Sequence, residues 1–283
     1  MSDESIQAPE PLSVQGAALI AAGRAQDAIE VLLHALASGE QGAPDLLARA
    51  YLDSGSWGPA VEYLTPLVEQ GHVQFAGRLG VALAGLGDRE RAEDALRLAV
   101  ESGEVAAAND LAILLRDGGR LGEAVQLLAD AAAAGDPQAS ANLVALLLED
   151  DDVVSAVAAA ETYADERRPD TLVALADVRV QQGRFDEAEA LYRRAGELGG
   201  LRAHTAYGQF LLAGRGDVAA AERQLREAEL HNEPGWAYTL GRFLLDQGRS
   251  DEARYYLQIA IDAGDEEAVT AMAELDGVDP ADD

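Results

Sequence analysis

The residues in this chain that could perform chemistry are poorly spaced for it. Four histidines, His34, His72, His204 and His231, stand far apart in sequence, and no His-Glu-x-x-His run makes any of them half of a metal-ligand pair. Cysteine is absent, which removes disulfides and thiolate metal sites. Gly-x-Gly strings such as Gly85-Leu86-Gly87 fall at helix ends, without the strand and crossover that make such a string a nucleotide site. There is neither a Gly-x-Ser-x-Gly elbow nor a P-loop. The acidic run Glu149-Asp150-Asp151-Asp152 lacks the alternating oxygen ligands and glycine bend of a calcium loop and reads as a solvated turn in which Asp152 caps the next helix. No enzyme, metal or cofactor is expected.

A second set of residues suits holding rather than reacting. Arg49, Arg78, Asn109, Arg116, Asn142, Asp177, Gln209, Tyr238 and Arg242 interrupt stretches otherwise rich in alanine and leucine. Arginine and asparagine can grip a peptide backbone or a carboxylate through directional hydrogen bonds, and tyrosine adds rigid contact area. Each also fits a solvated helix position or an ion pair with a neighbouring acid, so the set has meaning only if the elements beneath bring it to one surface.

Those elements are written in a period. Ala28, Ala60, Ala92, Ala124, Ala156 and Ala188 are 32 residues apart, and after a slip of one residue the series resumes at Ala221 and Ala253. Four residues after each alanine stand Leu32, Leu64, Leu96, Leu128, Ala160, Tyr192, Leu225 and Leu257, and seven after it mostly alanine, so the three positions form one buried helix face. A second apolar set upstream, Leu47, Leu79, Leu111, Leu143, Leu175, Tyr207 and Leu240, marks a partner helix, each residue followed by a small one. Between the helices the turn carries Gly23, Gly55, Gly87, Gly119, Asp151, Gly183, Gly216 or Gly248. The second helix closes on glycine, on Asn232 as its usual substitute, or on Arg167, where Pro169 forces a different exit. Asp27, Asp88, Asp186 and Asp251 are expected to cap second helices. A fixed period of this length means stacked units that bury their apolar faces on one another.

The string from Gly183-Arg184-Phe185-Asp186 to Arg194-Ala195 resembles the turn and second helix of a tetratricopeptide repeat, and Leu79-Gly80 and Leu240-Gly241 resemble that family's first helix. Ala134-Gly135-Asp136-Pro137 and Ala263-Gly264-Asp265-Glu266 are similar to the joints of Sel1-like repeats. The resemblance implies an all-α, right-handed α-solenoid superhelix of about eight antiparallel helix pairs plus a C-terminal capping helix, with first helices lining a concave groove. The nine polar residues above would then face a ligand.

The expected organisation is an acidic disordered tail over residues 1–10, the array over 11–276 and a second acidic tail over 277–283. Repeat five, with no glycine in its turn and Ala160 in the leucine column, is the expected hinge; repeat seven carries a turn one residue longer, Ala213-Gly214-Arg215-Gly216-Asp217. The 51 acids face 21 basic residues, all arginine, for a net charge of −30. That balance opposes nucleic acid and anionic membranes as partners. With no long apolar run and no basic leader, a cytoplasmic location is the expectation. The function expected is a non-enzymatic adaptor that holds another protein's segment in the groove, with the acidic outer face open to a basic partner. The alternative is a sensor whose curvature changes on binding a small peptide.

Overall fold

A computed structural model describes residues 10–277; the two expected tails fall, apart from Glu10 and Gly277, outside them. Among the described residues there are seventeen α-helices and no strand, an all-α repeat solenoid as the period requires. The chain divides into two compact units, residues 1–134 and 135–283.

In the first unit the pairs are α1 (Leu12–Ala21) with α2 (Ala25–Ala37), α3 (Ala43–Asp53) with α4 (Trp57–Glu69), α5 (Ala76–Gly85) with α6 (Arg89–Glu101), and α7 (Ala107–Asp117) with α8 (Leu121–Ala133). A short 3₁₀ turn, Val73–Phe75, leads into α5. In the second unit they are α9 (Pro137–Glu149) with α10 (Val153–Tyr163), α11 (Pro169–Gln181) with α12 (Phe185–Glu197), α13 (Ala203–Phe210) with α14 (Val218–Leu230), and α15 (Trp236–Asp246) with α16 (Ser250–Asp262). A single helix, α17 (Glu266–Asp276), follows α16 and packs on it and on α15.

Each first helix packs on its own second helix. Successive first helices also touch, α1 on α3, α3 on α5 and α5 on α7 in one unit, and α9 on α11 and α11 on α13 in the other. Every ladder alanine, from Ala28 to Ala253, is 0% exposed. Close packing explains the small residues as well. A Cβ added at Gly80 would lie 2.5 Å from Leu96 Cγ and 3.2 Å from the Ala92 carbonyl, which is the ladder alanine itself.

The turn after each first helix has one construction. The amide of Gly55 donates to Leu52 and that of Ser56 to Tyr51, and the same pair of bonds recurs at Gly87 and Asp88. This is the closure that needs a left-handed residue, and Gly55 has φ 66°. Asp151 takes that role in repeat five at φ 57°, making the same two bonds without glycine. In repeat seven both bonds lengthen by one residue, from Gly216 to Leu212 and from Asp217 to Leu211. The extra residue is absorbed in a π-helical turn over Leu211–Arg215, so the inserted length is taken up at the end of the helix and not in a longer loop.

The second helices close as expected at Asn232, with φ 50°, and exit differently at Tyr163, where Asp165 Oδ1 accepts from the Arg167 amide and the Thr171 hydroxyl accepts from the Asp165 amide. The capping expectation needs correction. Asp88 and Asp152 do cap, accepting from the Arg91 and Ser155 amides. Asp27, Asp186 and Asp251 do not, because they lie inside the first turn and an arginine occupies the N-cap. That arginine folds onto the acid three residues later instead, as in Arg24–Asp27 at 2.6 Å and Arg120–Glu123 at 2.7 Å.

The free amides of some first helices are met by a carboxyl group from the far end of the same repeat. Glu40, after α2, accepts from the Leu12 and Ser13 amides at 3.1 and 2.8 Å. Glu233, after α14, accepts from the His204 and Thr205 amides, each at 2.8 Å, and from the Thr205 hydroxyl at 2.7 Å. Each closes its helical hairpin into a ring. Both acids directly follow the helix-closing residue, Gly39 or Asn232, a register visible in the sequence and missed there.

Candidate functional site

The hollow of interest lies wholly within the second unit and has a volume of about 420 Å³. Its walls are first helices. Gln138, Ala141, Asn142, Ala145 and Leu148 come from α9; Asp170, Val173, Ala174, Asp177, Val180 and Gln181 come from α11. Ala206, Gln209 and Phe210 of α13 and Ala213 of the π-helical turn continue it, with Leu201 and Arg202 at the joint before α13 and Tyr192 entering from the second helix α12. The alanines make the space, since three neighbouring helices turn small residues toward one another there.

Three of the nine residues singled out from the sequence, Asn142, Asp177 and Gln209, meet in this hollow. The rest do not. Arg49 pairs with Asp53 at 3.2 Å, Arg78 with Asp45 at 2.8 Å, and Arg116 with Asp117 at 2.8 Å. Arg242 pairs with Asp246 at 3.2 Å and also with Glu274. Neighbouring acids engage all four guanidinium groups. Asn109 is 4% exposed and its Nδ2 donates to the Ala106 carbonyl at 3.4 Å, so it belongs to the interior of the first unit and not to a free face. Tyr238 lies on α15, where burial first and Glu267 second push its hydroxyl above the usual tyrosine range.

Asp177 is the chemically distinctive group. It is partly buried, and the Tyr192 hydroxyl from α12 donates to its Oδ1. Burial pushes its carboxyl up to about 6, against the opposing pull of the Tyr192 hydrogen bond and the Arg202 charge. The same burial, together with the Asp177 charge, drives the Tyr192 hydroxyl upward, so this tyrosine stays a neutral donor. Tyr192 is in turn fixed by aromatic neighbours, with ring centroids 6.0 Å from Tyr207 and 5.4 Å from Phe210. Asp170, on the same helix, spends Oδ1 on the Leu201 amide at 3.1 Å. Arg202 makes no ion pair among the described residues.

A signal for this site was present in the sequence. Arg49, Val81, Ile113, Ala145, Asp177 and Gln209 are 32 residues apart, one column on successive first helices that continues at Arg242 after the slip. Ala145, Asp177 and Gln209 of that column line the hollow, and so does Tyr192 from the leucine column. A tyrosine replacing leucine beside an aspartate in one repeat is the readable mark.

Elsewhere, Val81 and Ile113 border a smaller hollow of about 200 Å³ in the first unit. His204 and His231, distant in sequence, stack with centroids 4.8 Å apart, and His204 Nδ1 lies 3.1 Å from Gln224 Oε1. Among the described residues no cluster of three or more histidine or acidic groups could hold a metal ion, and no helix is long and apolar enough to cross a membrane.

Helix pairs of this length and turn chemistry, stacked at this period, define the class of helical-repeat scaffolds. Tetratricopeptide repeat profiles match residues 46–109 and 211–268, 171–200 and 105–134, together more than half of the chain, which therefore belongs to the tetratricopeptide repeat superfamily. Its members generally serve as protein–protein interaction scaffolds, and the fold is typically non-enzymatic. No curated protein matches. Among solved structures the chain is similar to yeast Tom70 at 14% identity and TM-score 0.61, over 89% of this chain and 59% of that one. It is similar to the hetero-tetramer Cut9-Hcn1 of the APC/C at 13% and 0.54, over 93% and 55%. A tetratricopeptide repeat protein from Parabacteroides merdae shares 15% identity with TM-score 0.51, over 93% of this chain and 96% of that one. The chain spans little more than half the length of the first two, and at these identities the likeness is one of fold.

Proposed function

We propose that this protein is a non-enzymatic adaptor that holds a segment of another protein in the hollow lined by α9, α11 and α13. One observation carries the reading: three polar residues from successive first helices, Asn142, Asp177 and Gln209, converge on an apolar-walled space of about 420 Å³. A concave site with a few convergent polar groups is the usual form of a binding site. The test is a photo-reactive amino acid placed at Gln209 in cells, with the same label at Glu187 on the outer side of α12 as control. Cross-links from Gln209 alone to one short stretch of a single protein support the reading. Equal labelling at both positions overturns it.

The sensor reading draws on a different observation, the division of the chain at Gly135, at the joint where repeat five begins. A peptide that occupies the hollow and changes the X-ray scattering profile would favour it; an unchanged profile on binding would favour the plain adaptor.

A further inference from the structure

We propose that the segment held in the hollow is an extended peptide that places a basic side chain against Asp177, flanked by apolar residues. The proposal rests on the adaptor reading and specifies its ligand. Charge complementarity carries it. Asp177 Oδ1 receives the Tyr192 hydroxyl, a donor that orients the carboxylate without neutralising it. The other acid of the lining, Asp170, is committed to the backbone at Leu201. The one cation of the lining, Arg202, stands exposed at the joint before α13 and makes no ion pair with Asp177.

Two half-buried acids of the second helices make a contrast. Glu93 is met by Arg120 at 2.8 Å and Glu222 by Arg249 at 2.7 Å. Asp177, also half-buried, has no such partner among the described residues. An incoming guanidinium or ammonium group supplies it. Around this anchor, Gln138 and Gln209 offer amides that match a peptide backbone, and Val173 and Val180 offer apolar wall. A net charge of −30 adds long-range attraction for a basic segment.

The groups that act on Asp177 are Tyr192 of α12 and Arg202 ahead of α13; its own helix adds Asp170 to the lining, and α9 contributes only uncharged residues. With Asp177 titrating near 6, its anionic fraction falls about tenfold toward pH 5, so binding should weaken by about that factor.

The experiment is selection of phage-displayed random peptides of about twelve residues, long enough to cross three helices, on the whole protein. Asp177→Asn and Ala145→Trp serve as counter-screens and thermal melts as the check on folding. Asp177→Asn keeps an acceptor for Tyr192 and nearly the same shape; Ala145→Trp fills the hollow from an exposed position. The expected result is a fixed arginine or lysine in the selected peptides. A resynthesised peptide should then lose about tenfold or more in affinity on Asp177→Asn, as on going from about pH 7.5 to about pH 5 with wild type, and the variant should lose the pH effect. Peptides blocked by Ala145→Trp but lacking a basic position overturn the basic-ligand proposal and leave the adaptor reading standing. Peptides indifferent to both substitutions, or no enrichment at all, overturn both.

Discussion

At the scale of single residues, two acids sit where the fold would prefer something else. Asp177 is raised from 3.8 to about 6, so between those values the folded state binds more protons than the unfolded one, and stability falls as pH rises through the window. The cost of keeping it ionised at neutral pH is on the order of 3 kcal/mol, and Asp177→Asn should recover it. Melts of the two proteins should converge near pH 4 and separate toward pH 7, with the variant the more stable; a separation that shrinks with rising pH would be the opposite sign. Asp151 holds a left-handed φ of 57° at a place where glycine stands in the neighbouring repeats. Asp151→Gly should stabilise by about 0.5–1 kcal/mol in denaturant titration, since glycine carries no Cβ penalty there. The Asp151 substitution concerns backbone alone, whereas the Asp177 penalty is what a site kept for a ligand would show.

Helix pairs are the next scale, and their closure depends on groups far apart in sequence. Glu233, 4% exposed, satisfies two amides and a hydroxyl of α13, so Glu233→Ala leaves buried donors without acceptors and should cost about 2–4 kcal/mol. Hydrogen exchange should quicken first at His204 and Thr205. Gly80→Ala drives a methyl group against Leu96 and the Ala92 carbonyl and should cost about 1–3 kcal/mol by thermal melt. Much of this scale was legible in the sequence. The alanine ladder follows from close packing at a fixed period, and the turn glycines, Asn232 as a closing residue and the altered exit before Pro169 follow from local backbone preference. The first-turn acids Asp27, Asp186 and Asp251 misled because an acid favours the first helical turn as well as the cap. Here an arginine holds the N-cap and pairs with the acid three residues on, as Arg24 does with Asp27, Arg184 with Glu187 and Arg249 with Glu252. The site was half legible for a related reason. Asn142, Asp177 and Gln209 stood out as polar breaks in apolar helices, but Arg49, Arg78, Arg116 and Arg242 stood out equally. Only geometry shows that an acid lies within reach of each guanidinium.

For the whole molecule, charge dominates. With 51 acids against 21 arginines, most of those arginines already paired, the remaining carboxylates repel one another across the surface. Screening acts on that repulsion before it acts on short ion pairs, so raising sodium chloride from about 0.02 M to about 0.3 M should raise the melting temperature by a few degrees. A fall over that range would mean that the arginine pairs outweigh the excess charge.

The π-helical turn at Leu211–Arg215 has a consequence of another kind. Because the thirty-third residue of that copy is taken up at the end of α13, Gln209 before it and Arg242 after it remain in the same column as Asp177. A copy can thus gain a residue at this one place without re-addressing the surface positions downstream. Length and address are separable in this chain, and variants that arise by slippage at helix exits can keep an inherited binding face.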